Sequence, residues 1–293
     1  MVNFKKESKK VTIDFGANKG QNIEYYLLKS DIVVCVEANP KLAKEIQKKF
    51  SKNIRDKKLF IVNVVVTEKK NKKLTNFYIS KKSDVLSTII KPKNSEKFFQ
   101  VKIKSKSITE ILEKYLTKNT TFYFAKFDLE GYDAVVIKAM FKAGFYPINI
   151  STEVHTPESL EAIYNSRKYS GFKLQEGNLV SLYENLPIKT KNGMKFVRFM
   201  EHSAGPMGED IPSNWLTLKS IKIKLKLEGF GWKDVHATMS PGSNPIEIKF
   251  KELFISGVEQ APKIIYRFLF PFTIRDSSTF KKARQIMYSF QNK

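Results

Sequence analysis

The stretch VTIDFGANKG, residues 11–20, runs from an apolar segment through an acid into two glycines four residues apart. A strand that ends on small residues lets backbone N–H groups and a following helix N-terminus approach a ligand closely. Gly16 and Gly20 supply that turn. Dinucleotide sites usually carry a third glycine in phase, and none follows here. Asp14 stands at the strand end, where it would repel a pyrophosphate and suit a cationic amine instead. Glu37 closes the next apolar run, IVVCV, 21 residues after Gly16. A carboxylate there can accept hydrogen bonds from both hydroxyls of a ribose. Taken singly, Asp14 also reads as a helix cap and Glu37 as a solvated strand end.

Outward from this turn, strand and helix patterns alternate through residue 184. Strands are expected at 11–15, 32–36, 59–66, 122–128 and 147–154, their apolar and β-branched character suiting burial on both faces. Helices are expected over 20–29, 40–50, 107–116, 132–143 and 157–168. Pro40 and Thr156-Pro157 mark two starts, and Ser107 with Glu110 has capping-box spacing. The alternation predicts a mostly parallel sheet with helices on both faces. Residues 171–184 offer two short strands around Glu176-Gly177-Asn178, a hairpin signal that would close the sheet. Domain organisation is therefore read as 1–184 for the α/β domain and 185–293 for a C-terminal extension.

Two further constellations fall at strand ends. KFDLEGYD, residues 126–133, places Asp128 and Glu130 after the fourth strand, beside the first in a sheet of this order. Such carboxylates can take a proton from an acceptor hydroxyl or bind hydroxyls, and acids also favour a helix start. STEVHTP, residues 151–157, puts Glu153 and His155 two apart on one face, a candidate base with an orienting partner. With three His and one Cys, no metal-ligand set of usual spacing is visible, so no metal is expected.

Composition bounds the rest. The 293 residues carry a net charge of +23, with 46 Lys against 6 Arg. Arg is the preferred reader of phosphates and base edges, so nucleic acid is an open but disfavoured partner. The excess of Lys, Asn, Ile, Phe and Tyr suits biased codon usage. No segment reaches the roughly 18–20 apolar residues of a membrane span, and MVNFKKESKK has no apolar signal region. Cys35 reads as a small core residue. These features point to the cytoplasm. Beyond 185, the stretches SAGPMGEDIPSNW and GFGWKDVH hold Glu209, Asp210, Trp215, Trp232, Asp234 and His236, a mixture of acids and aromatic faces that can hold a sugar. The basic, aromatic tail, including IIYRFLFPF at 264–272, is a candidate for peripheral contact with the inner face of a membrane.

Together DFGANKG, VEANP at 36–40, VKIKSKSITEIL at 101–112, KFDLEGYD and TEVH at 152–155 resemble the FkbM family of S-adenosylmethionine-dependent methyltransferases. Phe127 and Leu129 depart from the family's usual residues within its motif. The resemblance covers about residues 11–184. It implies a class I methyltransferase (Rossmann-like) fold, with a seven-stranded sheet whose last hairpin makes one strand antiparallel. It implies S-adenosylmethionine as cofactor, a loop formed by Asp14, Gly16, Asn18 and Gly20, and Glu37 on the ribose with Ala38 and Asn39 beside the adenosine. Asp128 and Glu130 would lie near the transferred methyl. The acceptor it implies is a hydroxyl, often of a sugar or glycan. Two other readings stay open: an RNA methyltransferase, and a non-catalytic module on this fold that binds a membrane surface or a partner.

Overall fold

The computed structural model describes residues 8–248, other than 71–73, 84–85, 184 and 201–202. The sheet grows outward from β1 (Lys9–Phe15), which pairs in parallel with β2 (Ile32–Val36) on one side and β7 (Thr120–Phe127) on the other. Beyond β2 lies β3 (Leu59–Val62), also parallel, and beyond β7 lies β8 (Asn149–Glu153). Two more strands complete seven: β12 (Lys233–Thr238) runs antiparallel between β8 and β9 (Gly171–Glu176). The chain order reverses at β1 and β7, so a crevice opens beyond their carboxyl ends.

Alternation along the strands sends apolar residues to two cores. Ile13, Phe15, Val34 and Phe127 face α4 (Ile108–Tyr115), α5 (Asp133–Lys142) and α6 (Pro157–Asn165). Val33, Cys35 and Phe124 face α1 (Ile23–Lys29) and α2 (Pro40–Lys49), together with Ile188, Phe199 and Met207 of the extension. Cys35 is a fully buried core thiol. Each wholly buried side chain such as Ile137 or Phe124 contributes roughly 1.5–3 kcal/mol. Local signals hold at the helix starts: Ser107 and Glu110 form the reciprocal capping box, and Asn39 caps α2 through Lys41 N–H.

Two expectations need correction. The run 59–66 is not one strand. It breaks at Asn63, whose amide donates to the carbonyls of Glu37 and Ala38 at 2.8 and 3.1 Å. The chain then enters β4 (Val65–Thr67) of a separate three-stranded sheet with β5 (Leu74–Ser80) and β6 (Phe98–Ser107).

The hairpin expected within 171–184 does not form either. Residues 177–182 coil as a 3-10 turn, and β9 takes β12 as its antiparallel partner. The sheet therefore closes some fifty residues later, with β12 drawn from beyond residue 185. Between β9 and β12 lie the hairpin β10 (Leu186–Thr190) and β11 (Gly193–Val197), then α7 (Leu218–Glu228) after the short α3 (Ser51–Arg55) earlier in the chain. The apolar–polar mixture of 178–183 mimics a strand, whereas Gly229 and Gly231, just ahead of Trp232, obscure the start of the true one.

Candidate active site at the sheet switch point

The turn after β1 is built by close approach. Gly16 has φ +95°, and a Cβ there would fall 2.0 Å from the Asp128 carbonyl oxygen. The N–H groups of Gly16 and Ala17 donate to the Val36 carbonyl, locking the turn against β2. Gly20 has another role: a Cβ there would strike Ile23 and Ile46, so it permits helix packing and stands off the pocket wall. Asn18, at φ +49°, donates its N–H to Glu37 Oε2 at 2.8 Å. Asn39 donates its own to Oε1 at 2.7 Å. Two backbone donors thus aim the Glu37 carboxylate, and each oxygen keeps a lone pair. Burial nevertheless pushes its pKa up to about 7. Ala38 lines the pocket; Asn39 acts from behind it.

Asp14 is buried on the pocket floor, and its Oδ1 has no hydrogen-bond partner. Lys126, equally buried, stands opposite it in register on β7. The Lys126 ammonium lies 2.9 Å from Asp128 Oδ2 and 3.9 Å from Asp14 Oδ1. Burial raises Asp14 to about 6 even though Lys126 draws it down. Lys126 opens the KFDLEGYD stretch but is not among the candidate site residues read from it. A lysine inside the apolar run FYFAKF was the available signal, because a buried ammonium needs partners.

Beyond Asp128 the chain takes two left-handed residues, Glu130 at φ +51° and Gly131 at φ +90°. A non-glycine residue in this region costs free energy, here braced by Thr88 Oγ1 donating to the Glu130 carbonyl and by Asp133 accepting from Leu129 and Gly131 N–H. Burial, with Asp128 and Glu153 close by, raises Glu130 to about 8. Glu153 sits 3.1 Å from His155 Nε2. That hydrogen bond lifts His155 to about 9, so the ring is an imidazolium at neutral pH. The expected base is therefore a cation, and the basic groups here are carboxylates. Asp128, Glu130 and Glu153 bring ligand oxygens within 4.8 Å of one another. Lys126 and His155 already counter two of the three.

The remaining walls come from segments that carry no motif. Val64, Val65 and Val66, with Phe77, Ser87 and Ile89 from the β5–β6 region, make an apolar side. Ala204 joins from the extension, held by the Asn22 side chain, which accepts from Ala204 N–H and donates to the Gly205 carbonyl. Two of the extension's acids anchor it to the first helix, and Glu209 also lines an open cavity with Trp215 and Lys173. Lys29 pairs with Glu209 at 2.6 Å and Asp210 at 2.9 Å, and Tyr123 and Tyr25 donate to the same two carboxylates. Trp215 is buried under Lys173, and His236 is buried among the sheet residues, its pKa driven down to about 3 by desolvation. Asp234, opposite Glu153 in register, and the half-exposed Trp232 stand at the carboxyl end of β8.

The pocket fits a ligand with a ribose and a cationic amine. Glu37 is pre-aimed, Asp14 is buried with an unbonded oxygen, and the Gly16 cradle admits no side chain. On this sheet order, such a site defines a class I methyltransferase, and its cofactor is S-adenosylmethionine. The model of the methyltransferase FkbM domain matches residues 14–174, more than half of the chain. The chain belongs to the FkbM methyltransferase family. No curated protein matches it. Among solved structures, the FkbM methyltransferase of Methylobacillus flagellatus KT matches at 15% identity and a TM-score of 0.38, over 58% of this chain and 40% of that one. An O-methyltransferase from Bacillus cereus in complex with SAH matches at 7% identity and a TM-score of 0.33, over 78% of this chain and 74% of that one. The chain thus spans well under half the length of the first of these structures. Among the described residues, no helix is long and apolar enough to cross a membrane.

Proposed function

We propose that this protein transfers a methyl group from S-adenosylmethionine to a hydroxyl oxygen of a sugar or glycan. The observation that carries the reading is the convergence of Asp128, Glu130 and Glu153 beside the Gly16 turn. Carboxylates bind neutral hydroxyls well and repel polyanions, which counts against an RNA acceptor despite the charge of +23.

Bound S-adenosylmethionine supplies an already activated methyl group, so the protein's work is alignment and proton removal. Glu37 would hold the ribose hydroxyls and Asp14 the amine. Glu130 takes the proton of the acceptor hydroxyl. Asp128, fixed in place by the Lys126 ammonium at 2.9 Å, orients that hydroxyl. The His155 imidazolium, tied to Glu153, limits the negative charge that builds up around Glu130.

The test is incubation with methyl-labelled donor and a panel of mono- and oligosaccharides, with single-stranded RNA as a separate arm. Label in a base-stable sugar ether supports the reading. Label in RNA, or donor binding with no sugar labelled across the panel, overturns it.

A further inference from the structure

The charge of this chain is divided between the two ends of its sheet. The carboxyl ends of the parallel strands carry Asp14, Glu37, Asp128 and Glu153. Their amino ends carry exposed lysines instead: Lys9 at the start of β1, Lys57 and Lys58 before β3, Lys118 before β7 and Lys168 before β9. Among the described residues just ahead of these strands there are two acids. Asp56 is exposed, and Asp31, ahead of β2, is ion-paired with Lys191.

That ion pair brings the turn of the β10–β11 hairpin to the same end. Register places Pro187, Lys189, Met194 and Phe196 on one face of the hairpin. Met194 is 58% and Phe196 72% exposed. Residues 186–200 contain four basic residues and no acid. A large apolar pair on a strand is ordinarily buried, and here it is presented among cations.

We infer that this end of the molecule, hairpin face and lysine rim together, docks on an anionic lipid bilayer, leaving the acidic catalytic edge turned away from the lipid. Apolar side chains ringed by cations match the interfacial layer of such a membrane, where Phe and Met enter the acyl boundary and Lys meets the headgroups. Nucleic acid fits less well, since it would leave Met194 and Phe196 unused and the rim is lysine rather than arginine.

The test is sedimentation of the full chain with vesicles of phosphatidylcholine, alone and mixed with phosphatidylglycerol, at low and physiological salt. The expected result is binding to the mixed vesicles only, weakened by salt. Met194→Ser/Phe196→Ser and, separately, Lys57→Glu/Lys58→Glu/Lys118→Glu should each lower the partition by roughly tenfold. Unchanged S-adenosylmethionine titration in both variants shows that fold and pocket survive, and keeps this test separate from that of the catalytic reading. Failure to bind mixed vesicles overturns the inference. So does binding that survives both sets of substitutions, tighter binding to RNA than to vesicles, or a dimer that dissociates in the hairpin variant.

Discussion

Lys126 Nζ lies 2.9 Å from Asp128 Oδ2, so a buried ammonium grips the carboxylate beyond the end of β7 from within the sheet. The same ammonium faces Asp14 across the β1–β7 pairing. Removing one partner of a buried pair leaves the other uncompensated, at a cost of about 3 kcal/mol. Lys126→Met should cost about that much at pH 8, above the Asp14 pKa of about 6. The loss should shrink towards pH 5, because Asp14, at about 6 in the unliganded protein, takes up a proton. Lys126→Arg should recover most of it. Urea unfolding of the three proteins at both pH values decides the point; equal losses at the two pH values would sink the ion-pair interpretation.

Cofactor affinity should depend on pH through the same floor. In the unliganded protein burial holds Glu37 at about 7 and Asp14 at about 6. Ribose hydroxyls and an amine favour the ionised carboxylates, so binding lowers both pKa values and releases protons. Affinity for S-adenosylmethionine should rise from pH 6 to pH 8, by about tenfold for each unit that one pKa falls on binding. Titration calorimetry in buffers of different ionisation enthalpy reads the released proton directly. Glu37→Gln should weaken binding by at least about tenfold, the loss of charged hydrogen bonds, and flatten the profile near pH 7. A proton count of zero in the wild type would refute the assignment.

The parts of the site legible in the sequence are those whose backbone is forced. Gly16 had to be glycine because the Asp128 carbonyl fills the place of its Cβ, and Glu37 stands where the second strand must end. What stayed hidden depends on long-range packing. Phe77 and Ile89 reach the pocket from a separate sheet, and Ala204 reaches it because Asn22 clasps the extension. No local period encodes either contact. The seventh strand escaped for a related reason: KDVHAT carries Lys233 and His236 at buried positions, so it lacks an apolar face until β8 and β9 flank it. Nor does any local pattern encode the pairing of Glu209 and Asp210 with Lys29, which joins the extension to the first helix.

Gly16→Ala tests the cradle. A Cβ 2.0 Å from a carbonyl oxygen has no room, and φ +95° is a backbone state that L residues rarely adopt. Backbone strain of this kind costs of order 1–3 kcal/mol before the clash is counted. The variant should be less stable than the wild type by at least that amount and lose cofactor binding. Gly144→Ala also meets positive φ but has nothing near its Cβ, so it should lose stability alone and keep binding. Thermal unfolding with and without S-adenosylhomocysteine separates the two. A Gly16→Ala protein that still gains thermal stability from the ligand would show that the turn tolerates the side chain.

The proposed division of proton chemistry between Glu130 and His155 is tested by replacing each separately. Glu130, at about 8, is poised to lose its proton just above neutrality, whereas His155, at about 9, stays charged there. On a base-competent Glu130, methyl transfer should increase with pH through about 8 and then level off. Glu130→Gln should lower the rate by about 10²–10⁴-fold, the usual contribution of a general base, and abolish that rise. His155 lies near enough to draw the Glu130 pKa down. His155→Gln should therefore keep the rise but move it to higher pH, with a milder loss near neutrality. Carbon-13 NMR of the glutamate side-chain carboxyls follows the same titration without needing the acceptor, with Glu130→Gln assigning the resonance. If His155→Gln removes the rise and Glu130→Gln leaves it in place, the imidazole is the base after all, and the Glu153 pairing must loosen when the acceptor binds.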